Sequence, residues 1–297
     1  MKNHTSFNYE YAYSYCKKIV LSHYENFPVG SILVPKKSRK HFYAVYAFAR
    51  KADDIADSGI LHQVQKLELL NQFEDQLNTI DKGELSQLNN DTAQIFIALS
   101  NTIEELSITT EEFRKLLTAF KQDSVKSRYV EFEELLKYSE NSANPIGHLV
   151  LNIFGYHKEA DKSLFHCSDR ICTALQLTNF WQDAGEDLKI DRVYIPETDM
   201  KNTGYSYEKL FKKVENNEFV DIMKNLISKT EKLFDEGRGI IDYTSGRLRL
   251  ELKATISGGE EILKMIKKID YKVLNKRVTL SSFTKTKLFF KILFCRI

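Results

Sequence analysis

Four prolines punctuate the 297 residues, and their placement constrains the backbone more than any other feature. They are Pro28, Pro35, Pro145 and Pro196, so neither the stretch from Lys36 to Asn144 nor the chain after Pro196 contains one. Proline is the residue a helix interior tolerates least, and glycine is the next most costly. Glycine is also sparse and falls mostly between periodic segments. Those segments are rich in Leu, Lys and Glu, with apolar residues three and four apart, the spacing of one helix face. No alternating run with hairpin chemistry and no solenoid-period repeat interrupts them. The sequence predicts an all-α fold.

Helices are predicted over Tyr9–Tyr24, Ser38–Ser58, His62–Thr79, Asp91–Leu106, Thr110–Lys126, Ser168–Leu188, Tyr207–Tyr243 and Leu250–Ile269. Another starts at the Asn-Pro of Asn144–Pro145, where Asn144 can cap and Pro145 suits the first turn. Gly59 is placed at a helix C-cap, and Gly237 and Gly239 at a kink or a close helix contact. No composition shift marks a boundary. A single domain over residues 1–280 is expected, followed by a basic, apolar tail, 281–297.

Bulk properties exclude several partner classes. The net charge of +2, with no dominant basic stripe, speaks against nucleic acid. Cys16, Cys167, Cys172 and Cys295 lack C-x-x-C spacing and paired histidines, so neither zinc nor a disulfide framework is indicated. The N-terminus lacks the apolar core of a signal peptide, and no run is long enough to span a bilayer. A reducing cytoplasm is the expected compartment. The tail Thr284–Ile297 mixes Lys285, Lys287, Lys291 and Arg296 with Leu288, Phe289, Phe290, Ile292, Leu293 and Phe294. It reads either as a peripheral anchor on the inner membrane surface or as a last helix packed on the domain.

Chemistry is signalled by two D-x-x-x-D pairs, Asp53/Asp57 and Asp183/Asp187. Residues four apart share a helix face, so each pair presents two carboxylates side by side. A lone pair of this kind is common on solvated helices. Here each pair ends a very apolar run, His41–Arg50 in one case and Ile171–Trp181 in the other. Carboxylates continuing a buried helix are expected in or beside the interior, where a divalent cation would relieve the cost of unpaired charge. Two facing pairs would suit Mg²⁺, which combines a few carboxylates with water and phosphate oxygens. Tyr46 and Arg50 share the first arc; Gln176 and Asn179 share the second, as partners or as a buried amide network. Arg128, Tyr129, Arg192 and Tyr194 follow helices and are candidates to close over phosphate. His148 reads as a packed or capping histidine and Cys172 as a small core residue.

Two of these segments carry a family resemblance. "YAFARKADDIAD" (Tyr46–Asp57) and "QLTNFWQDAGEDLKIDRVYIP" (Gln176–Pro196) resemble the signature segments of the squalene/phytoene synthases. "NFPV", "FARKADDIAD" and "SANPIGHLVL" most resemble the hydroxysqualene synthase branch of bacterial squalene and hopanoid synthesis. His148 departs from the Arg expected in that branch. The resemblance implies an all-α isoprenoid synthase fold with a central cavity, and Mg²⁺ held by Asp53, Asp57, Asp183 and Asp187. Arg50 and Arg192 would assist the diphosphate, with Tyr46, Gln176 and Asn179 at the reaction end. Arg128, Tyr129 and Tyr194 would bind substrate. The implied reaction is ionisation of presqualene diphosphate followed by water capture to hydroxysqualene. The alternative is head-to-head condensation of two prenyl diphosphates such as farnesyl diphosphate, giving presqualene diphosphate, phytoene or dehydrosqualene. A non-catalytic helical scaffold is disfavoured because all four aspartates are present.

Overall fold

In the computed structural model, residues 7–22, 34–88 and 92–281 are described, and they carry thirteen α-helices with no strand. The tail from residue 282 on, and most of the segment holding "NFPV", lie outside the described residues. The all-α expectation holds. The chain divides into two compact units, residues 1–125 with 145–161, and residues 126–144 with 162–297.

The first unit contains α1 (Tyr9–Ser22), α2 (Arg39–Ala56), α3 (Gln63–Lys82), α4 (Ala93–Leu106) and α5 (Glu111–Asp123), and nearly all of α7 (Asn144–Ile153). The apolar run read from the sequence makes α2 its centre, with Phe42, Ala44, Val45, Ala47, Phe48 and Ala52 all buried. Phe48 is fully buried and meets three rings, Phe113 at 5.2 Å, Phe73 at 5.7 Å and Phe96 at 5.8 Å. The pairs with Phe113 and Phe96 are edge-to-face, a geometry that adds to the gain from area burial alone. Helix α2 ends two residues earlier than expected: Asp57, not Gly59, occupies the C-cap, its N–H donating to the Asp53 carbonyl at 2.8 Å. Thr110 precedes α5, but its hydroxyl donates to Asp81 instead of capping the helix.

His148 is buried on α7, and its Nδ1 lies 2.9 Å from Glu112 of α5. Burial pushes the Glu112 carboxyl up. His148 and Lys115 outweigh it and hold the carboxyl below its ordinary value of 4.5. A depressed carboxylate contributes stability above that ordinary value and loses it as pH falls through the lower folded value. His148→Leu is therefore expected to cost about 1–3 kcal/mol at neutral pH, the penalty for stranding a buried hydrogen-bonding group. The difference from wild type should narrow below pH 4.5, which urea unfolding across that range would read. A difference that stays constant with pH would rule out the pairing as its source.

The second unit contains α6 (Phe132–Ser142), α8 (Lys162–Asp187), α9 (Glu197–Thr203), α10 (Tyr207–Phe211), α11 (Asn217–Gly237), α12 (Ile240–Tyr243) and α13 (Gly246–Lys268). Helix α6 was not read from the sequence. The expected single helix over Tyr207–Tyr243 is three, α10, α11 and α12: left-handed Lys213 follows α10, and Asn216 caps the start of α11, its side chain accepting from the Phe219 N–H. The expected close contact at the glycines is present. A Cβ on Gly237 would lie 2.8 Å from the Ile171 side chain and 2.9 Å from the Cys167 carbonyl. Trp181 is fully buried on α8 and donates to the Thr230 hydroxyl of α11 at 2.8 Å. After α8 a 3₁₀ turn over Leu188–Ile190 and left-handed Asp191 stop the helix, and Arg128 and Val193 form an isolated parallel bridge. No helix among the described residues is long and apolar enough to cross a membrane.

Candidate functional site

The first aspartate pair closes α2. Asp53 is half-buried and Asp57 is exposed at the helix end, so this pair sits at the edge of the interior. Arg50 reaches both neighbouring carboxylates, with Nη2 2.7 Å from Asp54 and Nη1 3.5 Å from Asp53. Its Nε is buried and has no acceptor. Tyr46, one turn earlier, stacks on Phe42 at 6.3 Å. Burial pushes its hydroxyl pKa up, Arg50 pulls it back in part, and Asp53 and Asp54 push it higher again. Tyr46, Arg50 and Asp53 therefore share one electrostatic neighbourhood. Asp54, which sequence reasoning passed over, is the closer of Arg50's two carboxylates; its position four residues on was the available signal.

The second pair closes α8, and Asp183 and Asp187 are both half-buried. Gln176 is half-buried and Asn179 is exposed, so the Asn179 amide stands open instead of joining a buried network. Gly185 is small for a definite reason: a Cβ there would overlap the Leu274 carbonyl. The chain after α13 thus lies directly on α8. Gln182 donates to the Val278 carbonyl at 2.7 Å, and Arg277 grips Asp183 with Nε on Oδ1 and Nη2 on Oδ2 at 3.2 Å. Hydrogen bonding to Asp183 raises the Arg277 pKa, burial opposes, and the charges of Asp183, Glu186 and Asp187 add to the rise. No local pattern could have paired Arg277 with a carboxylate 94 residues away.

The remaining candidates cluster at the turn beyond α8. Asp187, Arg192 and Tyr194 line one small recess with Phe180, Ala184 and Leu210. Tyr194 lies flat on Phe180 at 3.6 Å, and Tyr129, fully buried, stacks with Tyr194 at 5.6 Å. Arg128 hydrogen-bonds both the Asp191 carbonyl and its carboxylate.

Each pair offers oxygen donors only. Among the described residues, no group of three or more His, Cys, Asp or Glu side chains gathers as a closed cage. Mg²⁺ does not need one, since it takes one or two carboxylates and completes its shell with water and phosphate. The donor set fits that ion.

Known proteins resemble the chain over most of its length. The chain is 32% identical over 259 residues to a hydroxysqualene synthase of Sinorhizobium fredii, covering 86% of this chain and 84% of that protein. A hydroxysqualene synthase of Rhodopseudomonas palustris is 31% identical over 258 residues, covering 86% and 83%. The crystal structure of squalene synthase HpnC from Alicyclobacillus acidocaldarius superimposes with a TM-score of 0.81 at 34% identity, covering 89% of this chain and 96% of the other. The squalene/phytoene synthase family model matches residues 20–284. By its two aspartate helices and by this match along most of its length, the chain belongs to the squalene/phytoene synthase family.

Proposed function

We propose that the protein is a hydroxysqualene synthase. It ionises presqualene diphosphate with Mg²⁺ and lets one water capture the rearranged cation. The observation that carries the diphosphate chemistry is Arg50, whose side chain stays 31% exposed near the end of α2 beside Asp53 and Asp54. A partly exposed planar fork of this kind can grip a phosphate oxygen as it grips a carboxylate. The choice of product is supported by relatives named hydroxysqualene synthases that match over 86% of the chain.

Asp53 and Asp57 in the first unit, and Asp183 and Asp187 in the second, are the residues that would hold Mg²⁺. When bound, the ion supplies positive charge that stabilises the departing diphosphate. Arg50, in the first unit, and Arg192, in the recess beside Asp187 in the second, each offer a planar fork that suits a phosphate oxygen. Tyr46 presents a ring and a hydroxyl that stays protonated at neutral pH. Gln176 and the open amide of Asn179 orient the substrate. Arg128 and Tyr129 serve it by fixing the turn that carries Arg192 and Tyr194. The carbon–oxygen bond to diphosphate breaks with its electron pair on the leaving group. A new carbon–oxygen bond then forms from water, whose second proton leaves to solvent. No electrons are gained or lost, so no nicotinamide is required.

Incubation of the full chain with presqualene diphosphate and Mg²⁺ in ¹⁸O-labelled water is expected to place the label in the product hydroxyl. Added NADPH should change neither rate nor product. Untouched presqualene diphosphate, together with condensation of two farnesyl diphosphates, would decide for the prenyltransferase alternative.

A further inference from the structure

The segment 273–281, beyond α13, is fastened to the second aspartate face by contacts that do not involve Arg277. Leu274 and Val278 are buried. The Leu274 N–H donates to Glu215 at 2.7 Å, and the Asn275 amide donates to Glu215 at 2.8 Å and to the Lys213 carbonyl at 3.3 Å. Gln182 holds the Val278 carbonyl, and Gly185 lets the Leu274 carbonyl lie against α8. Between these anchors the backbone delivers Arg277 to Asp183, where its fork takes both carboxylate oxygens. The two side chains remain 45% and 30% exposed. A pair this open is worth little to folding. Its bidentate geometry nevertheless occupies the oxygens a cation would need.

We propose that Arg277 is the resident counter-ion of Asp183, so that a divalent cation must displace its guanidinium and the 273–281 segment thereby sets metal affinity. This rests on the reading of Asp183 as a metal ligand. Two consequences follow physically. Removing the guanidinium frees the carboxylate and lifts a positive charge from beside the arriving cation, so metal binds more tightly. Binding of metal to the native chain, in turn, removes one of the ties that hold the segment on α8.

The test is titration of the full chain with Mn²⁺, a spectroscopically visible stand-in for Mg²⁺, at fixed ionic strength and without diphosphate. Arg277→Gln is expected to bind Mn²⁺ about fivefold more tightly than wild type, ~1 kcal/mol at 1.4 kcal/mol per tenfold. Arg277→Lys, which keeps the charge but loses the fork, should fall between them, and Asp183→Asn should bind more weakly than wild type. Weakened binding in Asp183→Asn without a gain in Arg277→Gln overturns this proposal alone. Unchanged binding in Asp183→Asn overturns the metal-ligand reading and this proposal with it. Should Arg277→Gln fail to fold, hydrogen exchange on the native chain decides: saturating Mn²⁺ should speed amide exchange in 273–281, and unaltered protection there overturns the proposal.

Discussion

Asp53→Asn and Asp183→Asn are each expected to lower turnover by roughly 10²–10³-fold, the usual scale for removing one preorganised charge-stabilising group. The substitution keeps size and shape, so the loss isolates the charge. Both aspartates are half-buried at helix ends, and neither belongs to the apolar core. Arg50 keeps Asp54 as a partner in the first variant, which limits collateral movement of α2. The helical far-ultraviolet signal should therefore be unchanged in both. Because the charge matters most when diphosphate departs, the loss should fall on kcat more than on KM. Full turnover in either variant, or in wild type with excess EDTA, would sink the assignment of these carboxylates.

Phe48→Ala is expected to be the most damaging single change to stability in the first unit, at about 3–5 kcal/mol. The ring is fully buried and shared among Phe73, Phe96 and Phe113, which sit on three different helices and cannot all close over the space it leaves. Whole domains are stable by only about 5–15 kcal/mol, so this is a large fraction of the total. Phe48 also lies two residues before Arg50, on the helix that ends in the first aspartate pair. A looser α2 should show lower activity well below the unfolding midpoint. Urea denaturation with Phe48→Leu as a milder control checks the claim; a loss under 1 kcal/mol in Phe48→Ala would mean the four-ring cluster is not the keystone of that core.

Sequence patterning reached furthest where the physics is local. Helix α2 was legible because its apolar run is continuous, and α8 because a long run led into a second acidic pair. The grouping of Tyr46 with Arg50 and Asp53 followed from helix geometry alone. Helix α6 escaped notice because it is short and begins without a capping bond, at Glu131. The break between α10 and α11 contains a non-glycine residue, Lys213, with positive φ, which no residue preference announces. Arg277 illustrates a different limit. Its meeting with Asp183 depends on how the chain returns after α13, and on Gly185 leaving room for a carbonyl. The same holds for Asn179, whose exposure reflects what does not pack against α8 at that level.

The interleaved connectivity of the two units sets an order on their assembly during synthesis. Residues 126–144 belong with 162–297, yet the chain must first return through 145–161 to complete the other unit. Helix α6 therefore leaves the ribosome before its packing partner α8 exists, with Phe132, Leu135 and Tyr138 uncovered until that long helix follows. An apolar segment waiting in this way is a ready target for aggregation or chaperone capture. No single cut can separate the units as continuous fragments, so a ribosome stalled between residues 144 and 162 holds a chain in which neither is complete.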